Sequence, residues 1–507
     1  MVGANAELLI LGSMMNEHDT SPKLYGIETE FTYTCEMIDT NILPEIGVVV
    51  EDRVVDLDND IFGIFGTDHN DWNTGESGVV FDYDVFSKVL LGRFGLHRVS
   101  KGMLSNGGRL YEDPSGYEYC TPECSTAAEA TLRSFDGDRI LFGAFRYLQE
   151  MGHIGRFQIN RRTVDYAEDG NSRGVHINTL TNRQSLNQSE IAILATLNIA
   201  KGALFGSGGL MRDRHGDVKF YHSPRLAISD SGISGSPARW TDRLLVRSLL
   251  KCDVGGYRRL ETISGDALNF AWPLRASMVM TKSVLGLLEM GFDNIYILPH
   301  IQDADSRDTA RRIGMQGAEG MMDVMCCLDD YYTESAANVL RQFAETCLFV
   351  DAQQTAYLDE EQLQVLNEVI DVLDMMDADR DSVAGVVESV ARRQYLQRKM
   401  DQHNVDMQTD VICRADYAWD LVGGVGVAGL YRDKGYGWLG FDKRSYTPLA
   451  SEARLTRPPN DTRAAVRGRA ILDAVKLGKS IEFEDWGRFM VDNINHCVGP
   501  LEHKDIV

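Results

Sequence analysis

Alternation of apolar and polar side chains marks the first well-defined element. Leu24 to Cys35 reads LYGIETEFTYTC, with Ile27, Thr29, Phe31, Tyr33 and Cys35 at every second place, and predicts a strand. Glu28 and Glu30 then share one face of it, because side chains two apart point the same way. Residues 1–23 before it read as a loosely held arm, and short β-rich runs follow between Ile46 and Val80. Those runs are broken by the turn-forming stretch GTDHNDWNTGESG, Gly66 to Gly78, which predicts a long excursion from a compact domain. Beyond it the spacing predicts a helix over Thr126 to Met151, then strands over Arg156 to Asp165 and Gly174 to Leu180. A helix over Ser189 to Gly202 comes next, capped by Asn187 or Ser189. Leu363, Leu366, Ile370 and Leu373 recur at helical spacing among acidic residues, which predicts a helix with one buried face. Asp377 to Asn404 reads as a second helix, with a basic run, RRQYLQRK. RPPNDTRAAVRG, Arg457 to Gly468, marks a boundary followed by a helix start, and IEFEDWGRFMV surrounds Trp486 with strand-like sequence.

The chain has 507 residues, too many for one ordinary core, so two domains are expected, one of them large. A net charge of -24 repels phosphate backbones and anionic lipid, which argues against nucleic-acid and membrane-surface binding. No apolar run reaches the roughly 18–20 residues of a membrane span, and Ala6 to Met15 lacks the basic flank of a signal peptide, so a cytoplasmic protein is expected. Nine scattered cysteines read as buried thiols, not as a disulfide framework or a zinc clip at Cys120 and Cys124. The run Gly206 to Gly209, GSGG, lacks the lysine and spacing of a phosphate-binding loop and reads as a turn.

Chemistry concentrates in Ser105 to Ser125, SNGGRLYEDPSGYEYCTPECS. Glu28, Glu30, Glu118 and Glu123 lie on strand-like segments away from lysine, and Arg109 precedes Asp113 by four residues. Carboxylates that share a strand face without basic partners are costly to bury unless they hold a divalent cation. One guanidinium among several carboxylates suits a phosphorylated ligand held by metal and arginine together.

The motifs GIETEF, NGGRLYED, YEYCTPEC, GNSRGVHIN, YRRL and PPNDTRAAVRG occur in an order that resembles the Pup ligase and Pup deamidase/depupylase family, from about Tyr25 to Trp486. The resemblance implies an α+β fold: a large glutamine synthetase-like domain, residues 24–431, with an antiparallel sheet cradle, outer helices and an insertion at about 46–80. A small C-terminal domain, residues 432–507, would follow. It implies ATP and Mg2+ as cofactors, with Glu28, Tyr111 and Glu118 holding the metal, and Glu30, Glu123 and His176 in the same metal-binding pocket beside Asn178. Arg109, Thr121 and Trp486 would contact ATP, Arg258 and Arg259 would clamp phosphate or a substrate carboxylate, and Asp113 would act in bond making or breaking. The implied partner is a Pup-like modifier protein, acidic and ending in Glu or Gln, with its conjugates or targets; the basic run at Arg392 to Lys399 is one candidate contact.

Three departures stand out: Ile177 where the family's His-Glu-Asn has its acid, Glu261 where a histidine commonly follows YRRL, and Gly265-Asp266-Ala267-Leu268 for a GDSN-like motif. The long path from Glu28 to Asp113 and the wording TPEC and PPNDTRA favour the deamidase/depupylase, whereas GIETEF follows the ligase spelling. A ligase for another carboxylate, or an inactive nucleotide-binding homologue in which Ile177 replaces the acid, are the further alternatives.

Overall fold

A computed structural model of the chain describes residues 20–37, 48–50, 79–81, 83–113, 116–164, 173–213, 215–229, 250–251, 256–292, 298–301, 303–325, 331–423, 426–441 and 448–500. The arm expected before residue 20 and the turn-forming stretch Gly66 to Gly78 lie outside the described residues. The strands are β1 (Tyr25–Met37), β2 (Val48–Val50), β3 (Val79–Phe81), β4 (Arg109–Asp113), β5 (Gly116–Cys120), β6 (Ile154–Asn160), β7 (Val175–Thr181), β8 (Gly209–Arg212), β9 (Val218–Tyr221), β10 (Leu250–Lys251) and β11 (Arg258–Gly265). After them come β12 (Met321–Met325), β13 (Tyr331–Ser335), β14 (Ile481–Phe483), β15 (Arg488–Val491) and β16 (Ile494–Cys497).

β1 organises the main sheet, whose order is β10-β11-β7-β1-β5-β4, with β6 also paired to β1. All of its pairings are antiparallel, so the expected antiparallel cradle is present. Near its start β1 pairs with β5 on one side and β7 on the other; near its end it pairs with β6. β2 and β3 pair with each other inside the expected insertion.

Period-two alternation divides the sheet into a dry face and a wet one. Ile27, Thr29 and Phe31 of β1, Tyr117 and Tyr119 of β5, Ile177 of β7 and Leu260 of β11 are buried on the dry side. The long helices Ala127–Glu150 and Ala271–Glu289 are buried there too, the second along its whole length. Close packing is tight enough that a Cβ on Gly137 would sit 2.3 Å from the Tyr119 ring, so this helical position admits no larger residue.

Both helices are capped from a distance. Thr126 accepts from Glu129 N at 3.1 Å as a local cap, while Glu361 takes the Ala127 and Ala128 amides at 2.9 and 2.8 Å. Phe270, the cap position of the second helix, offers no side-chain bond. Fully buried Glu388 accepts instead from the Asn269 and Phe270 amides, the Asn269 side chain and the Trp419 indole, at 2.7, 2.9, 3.0 and 2.9 Å. A carboxylate suits a helix N-terminus, where backbone donors are orphaned and the dipole is positive.

Several expectations change with packing. Asn187 is the cap of helix Gln188–Ala200, completing a capping box with Glu190. The second basic helix is split: a 3-10 turn, Arg380–Gly385, precedes Glu388–His403. Within it Arg392 is buried and bonded to Asp416 and Asp420, so it is not part of an open basic face. Ser21, in the expected arm, is buried and bonded to Glu289. Helix Val427–Asp433 runs across the expected boundary at residue 432, and Trp438 packs with Phe135 and Ala271 of the large unit. Past that boundary a separate small core forms around Val466, Ile471, Phe483, Phe489 and Val498, from helix Arg463–Leu477 and β14–β16. Among the described residues no helix is long and apolar enough to cross a membrane.

Replacing Glu388 by Ala strands four buried donors, so Glu388→Ala is expected to lower unfolding free energy by about 3 kcal/mol, with Glu388→Gln milder. Denaturant midpoints at constant slope check this; an unchanged midpoint would show that the helix start is satisfied without it.

Candidate active site

The wet face of the sheet is built by register. Glu28 of β1 lies opposite Cys120 of β5 and His176 of β7, and Glu30 lies opposite Glu118. Tyr111 of β4 pairs with Glu118, and Arg109 with Cys120. Asn178 pairs with Gly26 on one side and Glu261 of β11 on the other. Five strands, carrying residues as far apart in sequence as Gly26 and Glu261, thus contribute to one surface.

Glu28 is its centre. Its carboxylate meets His176 Nδ1 at 3.2 Å, Asn178 Nδ2 at 3.0 Å and Arg259 Nη1 at 3.3 Å. His176 Nε2 lies 3.8 Å from Glu30, which also accepts the Gly174 amide at 2.8 Å. Arg259 reaches Glu261 at 3.6 Å. Burial alone would raise the Glu28 pKa, but the hydrogen bond from His176 and the charge of Arg259 outweigh it and hold the group ionised. His176 is pushed up to about 9: burial opposes its charge, and the bond to Glu28 with the charges of Glu28, Glu30 and Glu261 prevails.

Glu118 goes the other way. Burial and then the charge of Glu28 raise its pKa, against a lowering hydrogen bond with Tyr111. Ligand atoms of Glu28, Glu118 and Cys120 all lie within 4.8 Å of one another, as do those of Glu28, His176 and Glu261. Two carboxylate charges at that spacing repel by roughly 3 kcal/mol even at an effective dielectric near 20. A divalent cation between them turns repulsion into coordination, and hard oxygens are the donors magnesium prefers. The fit has a second sign: Asn178, 7% exposed, donates from Nδ2 to Glu28 while its buried Oδ1 has no hydrogen-bond partner among the described residues. An orphan acceptor beside clustered carboxylates is what a bound cation or its water would satisfy.

A cleft opens beside these groups, lined by Glu28, Thr121, Asn178, Arg259, Arg463 and Trp486 among others. Thr121 Oγ accepts from the Ile27 amide at 3.0 Å. Trp486 lies in the turn between β14 and β15 and stacks against Arg467, whose guanidinium carbon is 4.7 Å from the ring centroid. Arg109 lies over the Tyr111 ring at 3.9 Å and donates to the Lys101 carbonyl at 2.6 Å. Asp113 ends β4, two residues beyond Tyr111, with its backbone paired to Gly116; its side chain lies outside the described set.

Two residues expected in the group have other partners. Glu123 receives Arg463 Nε at 2.6 Å and Arg467 Nη2 at 2.5 Å, which occupy both its oxygens and hold its pKa at about 2 despite burial. Arg258 and Arg259 do not form a clamp, because neighbours on a strand face opposite ways: Arg258 meets Gln184 at 3.3 Å, and only Arg259 reaches Glu28. The same alternation explains a departure. Ile177 is 2% exposed in the core, so an acid there would not face this site. Glu261, in contrast, restores a carboxylate to it. Asp266 of the altered GDSN-like motif is buried and accepts the Ser207 and Arg225 amides at 3.2 and 2.8 Å, tying the GSGG turn to the end of β11. Sequence reading missed Cys120 as a site group and Arg463 as a cleft residue; for Cys120 the two-residue spacing from Glu118 was the available signal.

The Pup-ligase protein family profile matches residues 23–488. A Pup deamidase/depupylase from Mycolicibacterium smegmatis is 26% identical over 399 residues, 77% of this chain and 75% of its own. A Pup–protein ligase from Saccharomonospora viridis is also 26% identical, over 396 residues, 77% of this chain and 84% of its own. Among solved structures, the ligase PafA in complex with Pup superposes with a TM-score of 0.70 at 20% identity, covering 96% of this chain and 90% of that one. PafA in complex with ADP gives 0.66 at 20% identity, covering 90% and 96%. At that identity the likeness speaks for the fold.

A carboxyl whose folded pKa lies above its ordinary value of 4.5 contributes stability below 4.5 that is lost as pH rises through the folded value. The ion-free protein is therefore expected to lose thermal stability as pH rises from 4.5 through neutrality, and Glu118→Gln to flatten that fall. Magnesium should raise the unfolding temperature of the native chain and leave that of Glu118→Gln nearly unmoved. Equal magnesium shifts in both would remove Glu118 from the cation site.

Proposed function

The chain belongs to the Pup-ligase protein family, and from that premise we propose that it is a magnesium- and ATP-dependent enzyme acting at the C-terminal Glu or Gln, or the isopeptide bond, of a Pup-like modifier. The observation that carries this reading is the meeting of Glu28 and Glu118 within 4.8 Å on one sheet face, beside the cleft of Thr121, Arg463 and Trp486.

Glu28, Glu118 and the Tyr111 hydroxyl would hold magnesium, with Glu30, His176 and Glu261 as the neighbouring polar shell. His176 and Arg259 keep Glu28 ionised and aimed, so the site is organised before anything binds. When bound, magnesium and nucleotide supply charge neutralisation and an activated phosphoryl group. The chain's own part is to place Asp113 at the end of the strand that carries Arg109 and Tyr111. A carboxylate there takes a proton from an attacking water or amine.

The hydrolytic direction, a deamidase/depupylase, is favoured by the long path from Glu28 to Asp113 and the TPEC and PPNDTRA wording. The ligase direction, joining the modifier's terminal glutamate to a lysine, is the second reading, supported by the GIETEF spelling and by a curated ligase of equal identity. The ordered polar face speaks against an inactive homologue, since Ile177 faces the core and removes nothing from the site.

Incubation with ATP, magnesium and three substrates separates the directions: modifier ending in Gln, modifier ending in Glu with a target protein, and a preformed conjugate. Release of ammonia or of free target is expected; conjugate formation alone would make it a ligase, and no product from any of them would overturn the enzymatic reading. Asp113→Asn is expected to retain ATP binding and lose turnover by about a hundredfold or more, measured at saturating nucleotide.

A further inference from the structure

We propose that Cys120 makes the Glu28–Glu118 pocket a mixed oxygen–sulfur site that takes a thiophilic divalent cation of the zinc class. That a cation occupies this pocket rests on the function proposed above; the choice of cation rests on the thiol.

Cys120 stands directly opposite Glu28 on the neighbouring strand and two residues beyond Glu118, so all three side chains leave the sheet on its wet face. Its Sγ lies 3.7 Å from Glu118 Oε1, and ligand atoms of the three residues lie within 4.8 Å of one another. It also lines the cleft, together with Glu28, Thr121 and Asn178.

A buried thiol is ordinarily a small apolar core residue. The other buried cysteines among the described residues fit that role: Cys124 and Cys347 lie in the main apolar cluster, and Cys413 lies in a smaller one. Cys120 is buried too but belongs to none of the apolar clusters. Its neighbours on the sheet face are instead Glu28, Arg109 and Glu118.

A second observation points to a ligand. Asn178, on the strand at the far side of β1, is held to Glu28 through Nδ2 at 3.0 Å. Its buried Oδ1 has no hydrogen-bond partner among the described residues, and it faces the same cleft as the thiol. An acceptor left unmet at that depth is costly, and a cation or the water bound to it removes the cost.

The donor set decides the class of ion. Magnesium takes hard oxygens and keeps several of its waters, so a sulfur ligand adds nothing to its binding. Ions of the zinc class bind thiolate strongly and are satisfied by four donors. Glu28, Glu118, Cys120 and Asn178 can supply them. As the metal–sulfur bond forms, the S–H bond breaks and its proton leaves to solvent. Magnesium and the softer ion would share Glu28 and Glu118, so binding of one excludes the other.

Titration calorimetry of the chelator-treated full chain with Mg2+, Zn2+ and Cd2+ alone, together with thiolate-to-cadmium charge-transfer absorption, tests this. Cys120→Ser is expected to weaken zinc and cadmium by about tenfold or more, to lose absorption present in the native chain, and to leave magnesium within about twofold. Undiminished zinc binding and absorption in Cys120→Ser, with a native-like unfolding midpoint, overturns the proposal. An equal loss of magnesium binding overturns it too, by showing that the thiol only supports the shape of the pocket. Should the Ser variant not fold, Cys120→Ala decides by the same comparison. A native chain that binds magnesium but shows no cadmium–thiolate absorption overturns this proposal and leaves the magnesium reading standing. One that binds cadmium through Cys120 but not magnesium supports this proposal and removes that reading.

Discussion

Repulsion between the Glu28 and Glu118 carboxylates is the constraint to which the rest of the site answers. They sit on adjacent strands, half-buried and buried, within 4.8 Å. An ordinary core would not retain such a pair, because each charge raises the cost of the other. Here His176, Asn178 and Arg259 stabilise Glu28, while Glu118 is pushed towards its protonated form with Tyr111 as its hydrogen-bond partner. Positive charge placed between the two groups would offset their repulsion and favour the ionised form of Glu118. A ligand that bound the folded chain there would stabilise it by mass action.

The opposite wall of the cleft repeats the theme with the sign reversed. Glu123 lies between Arg463 and Arg467, and Arg463 lines the same cleft as Glu28. The two walls come from different parts of the chain, the sheet and the C-terminal unit. Thr462 bonds the Glu123 carbonyl at 2.8 Å and Ser125 bonds Asp461 at 2.6 Å, so the segment just past β5 carries the joint. The segment that follows β5 thus ties the acidic sheet face to the C-terminal unit, and a disturbance in one should be felt in the other.

Buried carboxylates play a second role in the scaffold. Glu361 and Glu388 reach across to start the helices beneath the sheet, and Arg162, Arg392, Asp416 and Asp420 form a buried ionic knot behind it. None of these pairs is close in sequence on both sides, and each is satisfied by several bonds. In a chain this acidic, distributing carboxylates among helix starts and arginines limits the number left to repel one another.

Period-two alternation was enough to show that Glu28 and Glu30 share a face, and the ordered motifs were enough to name Glu118, Tyr111 and His176 as their companions. The main helices and the strand containing Trp486's neighbours were legible for the same reason: local spacing and capping residues act over a few positions. What alternation could have shown but did not is that Arg258 and Ile177 face away from the site. Glu123 was out of reach altogether, since its partners lie some 340 positions later and no local pattern reports them. The sequence by itself determined which faces are polar and which chemistry they can hold. Only the tertiary structure decided which carboxylates cluster together and which meet arginine, because that depends on strand register and on contacts between distant segments, where burial and charge are settled together.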